Sequence, residues 1–175
     1  MVAANRLFSA SMNYSTFAIL AILIPLTGLG QGSKGCPWLN VATASGVLRS
    51  SENSPMATLA QSSAALCSFE YREASVFRQL LITVEQTQNP SLVLKTQEEQ
   101  CKSKASPLQA IGNEAVACTV RDGGKISGDL IVGRVRDQIF TVKLTTNTEN
   151  DPSMVAEAIE SKTHMIAEQV AGALF

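Results

Sequence analysis

Residues 128–146 read GDLIVGRVRDQIFTVKLTT, two runs of alternating side chains joined by a short polar link. With a repeat of two, Ile131, Gly133 and Val135 share one face with Phe140, Val142 and Leu144. A two-residue turn at Asp137 and Gln138 then pairs Arg136 with Ile139, Val135 with Phe140, Gly133 with Val142 and Ile131 with Leu144. The opposite face carries Arg134 and Lys143 beside Leu130, Val132 and Thr141. Such a hairpin buries its apolar face only within a larger sheet covered by another layer.

Upstream segments supply further strands. In CSFEYR, Cys67, Phe69 and Tyr71 alternate with polar residues, and RQLLITVEQT places Leu80, Ile82 and Val84 on one face. LQAIGNEAVACTV reads as a turn at Gly112 and Asn113 followed by a strand with Val116, Cys118 and Val120 inward. The Ser/Ala-rich stretch 49–65 reads as a loop flanking a weak strand, and 121–129, RDGGKISGD, as a hairpin connection.

Three helices complete the layout. Asn40 caps VATASGVL, whose Val41, Ala44, Val47 and Leu48 form one stripe. Asn89-Pro90-Ser91 opens a polar helix with Cys101 near its end. Residues 151–175 read as a long amphipathic helix with Asp151 as cap, Pro152 in the first turn, and Val155, Ala158, Ile159, Ile166, Val170, Ala173 and Leu174 along its apolar side. This order implies an α+β domain: an antiparallel sheet packed by helices, closed by a long C-terminal amphipathic helix.

The N-terminal region reads differently. Phe17–Leu26 is an uncharged apolar run of roughly ten residues, the length of a signal-peptide core, whereas a spanning helix needs about 20. Residues 1–30 are therefore expected to be a signal peptide and 31–175 a single α+β domain, with no transmembrane segment in the mature chain. Lys34, two residues before Cys36, argues against lipid attachment at that cysteine. The four cysteines, Cys36, Cys67, Cys101 and Cys118, form an even set in a chain bound for an oxidising compartment, periplasmic or secreted. Of three possible pairings, Cys36 with Cys67 and Cys101 with Cys118 is expected, because each joins a helical segment to a neighbouring strand position. No C-x-x-C spacing accompanies the single histidine, so neither a metal nor a cofactor is expected.

CPWL leading into TASGVL, the CSF strand, IGNEAV, GRVRDQIFTVKL and the closing AEQVAGALF together resemble a group of small exported bacterial proteins of unknown function. The layout is similar to actinobacterial lipoproteins with a Cys-bearing first helix and a GDEA-like turn. Asn113 stands where that turn carries Asp. The resemblance implies a sheet-and-helix sandwich akin to photosystem-associated PsbP-like domains, and no catalytic activity.

Charge and motifs narrow the function classes. Fourteen Lys and Arg against fifteen Asp and Glu give a net charge of −1, with sparse aromatics, which argues against a nucleic-acid partner. His164, four residues after Glu160 in a helix, reads as a solvated side chain rather than a catalytic base. The carboxylates Glu70, Glu73, Glu85, Glu98, Glu99 and Glu114 form no diagnostic pair, and 121–129 lacks the phosphate-loop spacing. The expected function is an exported non-catalytic binding or interaction module, its partner an envelope or extracellular protein or a small ligand. Arg134 and Lys143 are the candidate anion-binding residues. The alternatives are an assembly accessory of the cell envelope and, behind it, a hydrolase.

Overall fold

In β2, Leu66–Glu73, Cys67, Phe69 and Tyr71 are buried, and in β3, Val76–Gln86, Leu80 and Ile82 are fully buried. The period-two reading therefore holds where apolar residues alternate most strictly. This is a computed structural model, and it describes residues 35–49, 51–101, 105–147, 151 and 153–175; the expected leader, Lys34 and Pro152 lie outside the described residues. The remaining strands are β1, Thr58–Ser62; β4, Ser106–Leu108; β5, Glu114–Asp122; β6, Lys125–Val135; and β7, Gln138–Thr146. The helices are α1, Val41–Leu48; α2, Pro90–Glu99; and α3, Ala156–Leu174.

All seven strands join one antiparallel sheet in the order β1-β2-β3-β7-β6-β5-β4. Two meanders, β1 to β3 and β4 to β7, meet where β3 pairs with β7. The connection between them carries α2 over β6 and β7. The α+β class expected from the hairpin is the class observed.

Helices cover both faces. α1 and α3 pack on the face that holds Phe69, Tyr71, Leu80, Ile82, Ile131, Val135, Phe140, Val142 and Leu144. Along α3 the buried positions are Ile159, Thr163, Ile166, Ala167, Val170 and Ala171, while Val155 and Ala173 are exposed. On the other face, Leu94 of α2 seals a smaller cluster with Val116, Val132 and Ile139. Val116 and Cys118 are thus buried as expected, but the alternation of β5 turns them toward α2, and Ala115 and Ala117 face the main core.

The central hairpin keeps its expected faces and changes its register. Val135 pairs with Gln138, Gly133 with Phe140 and Ile131 with Val142, so the turn is Arg136-Asp137, one residue earlier than expected. Arg136 takes a positive φ of 55°, and Asn113 fixes it there by accepting a hydrogen bond from its N–H at 2.7 Å. Gly112, φ 63°, lets this loop lie against Arg134, where a Cβ would strike the Arg134 carbonyl. A shift of two residues preserves which side chains point inward.

Asn40 caps α1 as expected, its Oδ1 accepting from Thr43 N at 2.8 Å. Asp151 does not cap α3, whose first turn begins after Val155. Its carboxylate instead accepts from Nε and Nη2 of buried Arg78 at 2.7 and 2.8 Å, and Nη2 also donates to Ser153 Oγ. Arg78 donates as well to the Leu48 carbonyl at the end of α1 and lies 5.3 Å from the Tyr71 ring centroid. One guanidinium therefore ties α1, β3 and the segment leading into α3 together. Disulfides join Cys36 to Cys67 and Cys101 to Cys118, the expected pairs, and no described cysteine is free.

Candidate functional site

The face bearing Arg134 and Lys143 does not bring the two cations together. Lys143 pairs with Leu130 and Arg134 with Ile139, so Val132 and Thr141 intervene and the two lie about 13 Å apart along the strands. Arg134 Nε donates to Glu114 Oε2 at 3.1 Å, and α2 covers Ile139 beside Arg134 and Val132 between the cations. The arrangement is a rim ion pair and a separate half-buried lysine beside a covered apolar centre.

A different place gathers chemical groups. Just before α3, Asp151, Met154 and Val155 face the first residues of β6 across a groove. One hollow of about 520 Å3 is lined by Asp122, Lys125, Ile126, Asp151, Val155 and Ala156, among others. A second, of about 210 Å3, runs toward Leu108 at the β4 edge and contains Thr119, Asp129, Ile159 and Glu160. Ile126 and Ala156 line both, so the two hollows adjoin at these residues along one side of the β6–α3 junction. Ile126 and Val155 are unusually exposed for their type, at 41% and 50%, and supply its apolar walls.

Local sequence explains the opening. Gly123 and Gly124 both take positive φ, the requirement of the tight two-residue turn between β5 and β6. Gly128 follows a register shift in which Val120 pairs with Gly128 and Arg121 with Ile126. A side chain at Gly128 would run into the Leu144 carbonyl, so the strand stays close to β7 and leaves space above it. Arg78 holds the other wall: Asp151 is pinned by the guanidinium, and Lys162 Nζ donates to the Ser153 carbonyl at 3.4 Å.

The two aspartates in this groove have opposite environments. Burial pushes the Asp151 carboxyl upward, but hydrogen bonds from Ser153 and Arg78, together with the Arg78 charge, outweigh it and hold the group below the usual 3.8. Asp129 lacks such partners. It is 7% exposed, its Oδ2 has no hydrogen-bond partner, and burial pushes its carboxyl up to about 6. The Leu130 backbone hydrogen bond opposes that rise, nearby Glu160 adds to it, and nearby His164 opposes it. His164 is half-buried rather than fully solvated, and its Nε2 is buried without a hydrogen-bond partner.

Asp129 is the residue that sequence reasoning passed over. The alternation of Val135, Gly133 and Ile131 on the inward face continues to Asp129, so a carboxylate at an inward position was visible in the hairpin itself. Since its folded pKa exceeds the unfolded value, the folded chain binds more protons between about pH 4 and 6, and this group's cost grows as pH rises through that window. Asp129→Asn is expected to raise stability by about 2 kcal/mol at pH 7 and above, a gain that fades by about pH 4. Urea unfolding of both proteins at pH 4 and pH 8 checks it.

A larger cleft, of about 800 Å3, lies among Pro37, Trp38, Ala65, Thr83, Glu85 and Gln138. None of its lining groups is a buried polar atom without a partner. Among the described residues no three His, Cys, Asp or Glu side chains converge as metal ligands, and no helix is long and apolar enough to cross a membrane. No family model matches the chain, and neither a curated protein nor a solved structure matches it.

Proposed function

We propose that the chain is an exported, non-catalytic binding module whose ligand lies in the groove between β6 and the start of α3. The observation that carries this reading is the Asp129 Oδ2 atom, buried at the groove floor without a partner. A buried acceptor left unmade costs roughly 1–3 kcal/mol, and a ligand donor removes that cost. Two disulfides with no free described cysteine, and the short apolar run Phe17–Leu26, support export.

Binding is favoured over hydrolysis because neither Asp129 Oδ2 nor His164 Nε2 is hydrogen-bonded to a hydroxyl, so neither holds a nucleophile. It is favoured over an assembly role because the exposed large apolar side chains are spread over several elements. Of Met56, Leu92, Ile126, Val155, Met165 and Phe175, only Ile126 and Val155 line one hollow. Ala156→Trp fills the groove from a half-exposed position that lines both hollows. In an NMR screen of small amphiphiles of each charge type, ligands should shift the amides of Ile126, Asp129 and Ala156. The tryptophan should weaken that binding at least about tenfold. Ligand shifts confined to Trp38, Thr83 and Gln138 would place the site in the other cleft.

A further inference from the structure

Resting on the groove as the binding site, the geometry points to an organic cation as its ligand: an ammonium group seated on Asp129, with an apolar body lying between Ile126 and Val155. Among the described residues, the charges that line the groove are Asp122, Asp129, Asp151 and Glu160 against Lys125, with Lys162 at the wall near Asp151. Asp151 is already neutralised by Arg78. The remaining acids outnumber the bases, and the one at the floor has an oxygen in need of a donor. An ammonium brings several N–H donors and a full positive charge to that oxygen, and such charge-assisted bonds are about twice as strong as neutral ones.

The walls decide what surrounds the charge. Ile126, Ala156 and Ile159 line the hollow that holds Asp129, and Met154 and Val155 line the adjoining one; these walls favour an aliphatic or aromatic body over a bare metal ion, which would need several oxygen ligands in place of these side chains. The start of α3 opposes the assignment, because a helix N-terminus weakly attracts anions. Glu157 already occupies that first turn. An anion in the groove would also sit beside Asp129 and Glu160, where like-charge repulsion in a partly dry site exceeds the helix contribution.

The same groups set the pH response. Facing Asp129 are Glu160 and His164 from α3 and Thr119 from β5, with Leu144 opposite it on β7. As pH falls below about 6, the Asp129 carboxyl takes up a proton and loses the charge that holds a cation.

Three probes of equal length, n-hexylammonium, n-hexanol and n-hexanoate, are titrated into the disulfide-bonded protein and followed by amide shifts at Ile126, Asp129 and Ala156. Hexylammonium is expected to bind at least about tenfold more tightly than hexanol, and hexanoate more weakly than both. Its affinity is expected to fall about tenfold between pH 7 and pH 5. Asp129→Asn is expected to bind hexylammonium no more tightly than hexanol while remaining folded, as its melting curve shows. Hexanoate binding as tightly as hexylammonium, or a cation preference that survives Asp129→Asn, overturns the cation assignment and leaves the groove as the site. Shifts from none of the three probes overturn the groove itself.

Discussion

Arg78→Met is expected to destabilise the protein by about 3–5 kcal/mol, because it strands the Asp151 carboxylate in the interior without its partner. The arginine is 1% exposed and binds at once the end of α1, Asp151 and Ser153. Removing one member of a buried pair costs far more than removing both, so Arg78→Met combined with Asp151→Leu should recover most of the loss. Thermal unfolding with intact disulfides reads both, with a shift of about 10 °C for the single variant. Equal melting temperatures for the single and double variants would show that the charge pair is not the source of the effect. The pH dependence carries the same signature. Asp151 has a lowered pKa, so its stabilisation is present above the unfolded value of 3.8 and is lost as pH falls below it.

Replacing Cys36 and Cys67 together by alanine should cost about 3–4 kcal/mol. The bond closes a segment with a sequence separation of 31, and opening it frees that much of the unfolded chain. Replacing Cys101 and Cys118, separation 17, should cost about 3 kcal/mol. The first pair should be the more damaging for a second reason. Cys67 is buried within the main core between β1 and β3, whereas Cys118, also buried, lies on the α2 side outside that core. Midpoints of denaturant unfolding compare the two double variants, and an undiminished midpoint for the Cys36/Cys67 variant would contradict the expectation.

What could be read from the chain was what local chemistry controls. Cys67, Phe69, Tyr71, Leu80 and Ile82 alternate against polar neighbours, and that alternation survives into the folded sheet because one face is continuously buried. Asn40 caps α1 through a bond three residues long, which needs no knowledge of the rest of the protein. The errors arose where distant residues decide. Arg136 adopts a left-handed backbone because Asn113, 23 positions away, accepts its N–H, so the turn moved and the hairpin slid by two. Asp151 precedes a proline and looks like a cap, yet its partner Arg78 lies 73 positions away. With α2 covering Val116, Val132 and Ile139, both faces of the C-terminal strands are apolar, and alternation alone does not tell which faces the main core. β4 is three residues long, too short to show a period.

The candidate site was legible only in fragments. The apolar floor of the Arg134 and Lys143 face is legible from alternation, but the separation of the two cations follows from the hairpin register, which a distant contact sets. Asp129 sat in the same hairpin as an inward carboxylate, and its neighbours Gly123, Gly124 and Gly128 made the stretch resemble a connecting loop. Its character depends first on burial and then on smaller effects of Glu160 and His164, which reach it only once α3 lies across β6.

The junction of β3 with β7 has a consequence for the covalent plan of the molecule. Cys36 and Cys67 both precede that junction's first strand, and Cys101 and Cys118 both follow α2, so each crosslink is confined to one half of the chain. Nothing covalent but the backbone through α2 connects the halves. They are held by nine backbone pairings, by Thr83 against Thr141, by Asn147 on Phe77 and by Arg78 on Asp151. The protein is thus built as two separately stapled fragments with a non-covalent zipper between them. A cut in the exposed Gln88–Asn89 link would yield two pieces that each retain their own crosslink and carry complementary strand edges. Each piece would expose the strand edge that the other covers in the intact sheet.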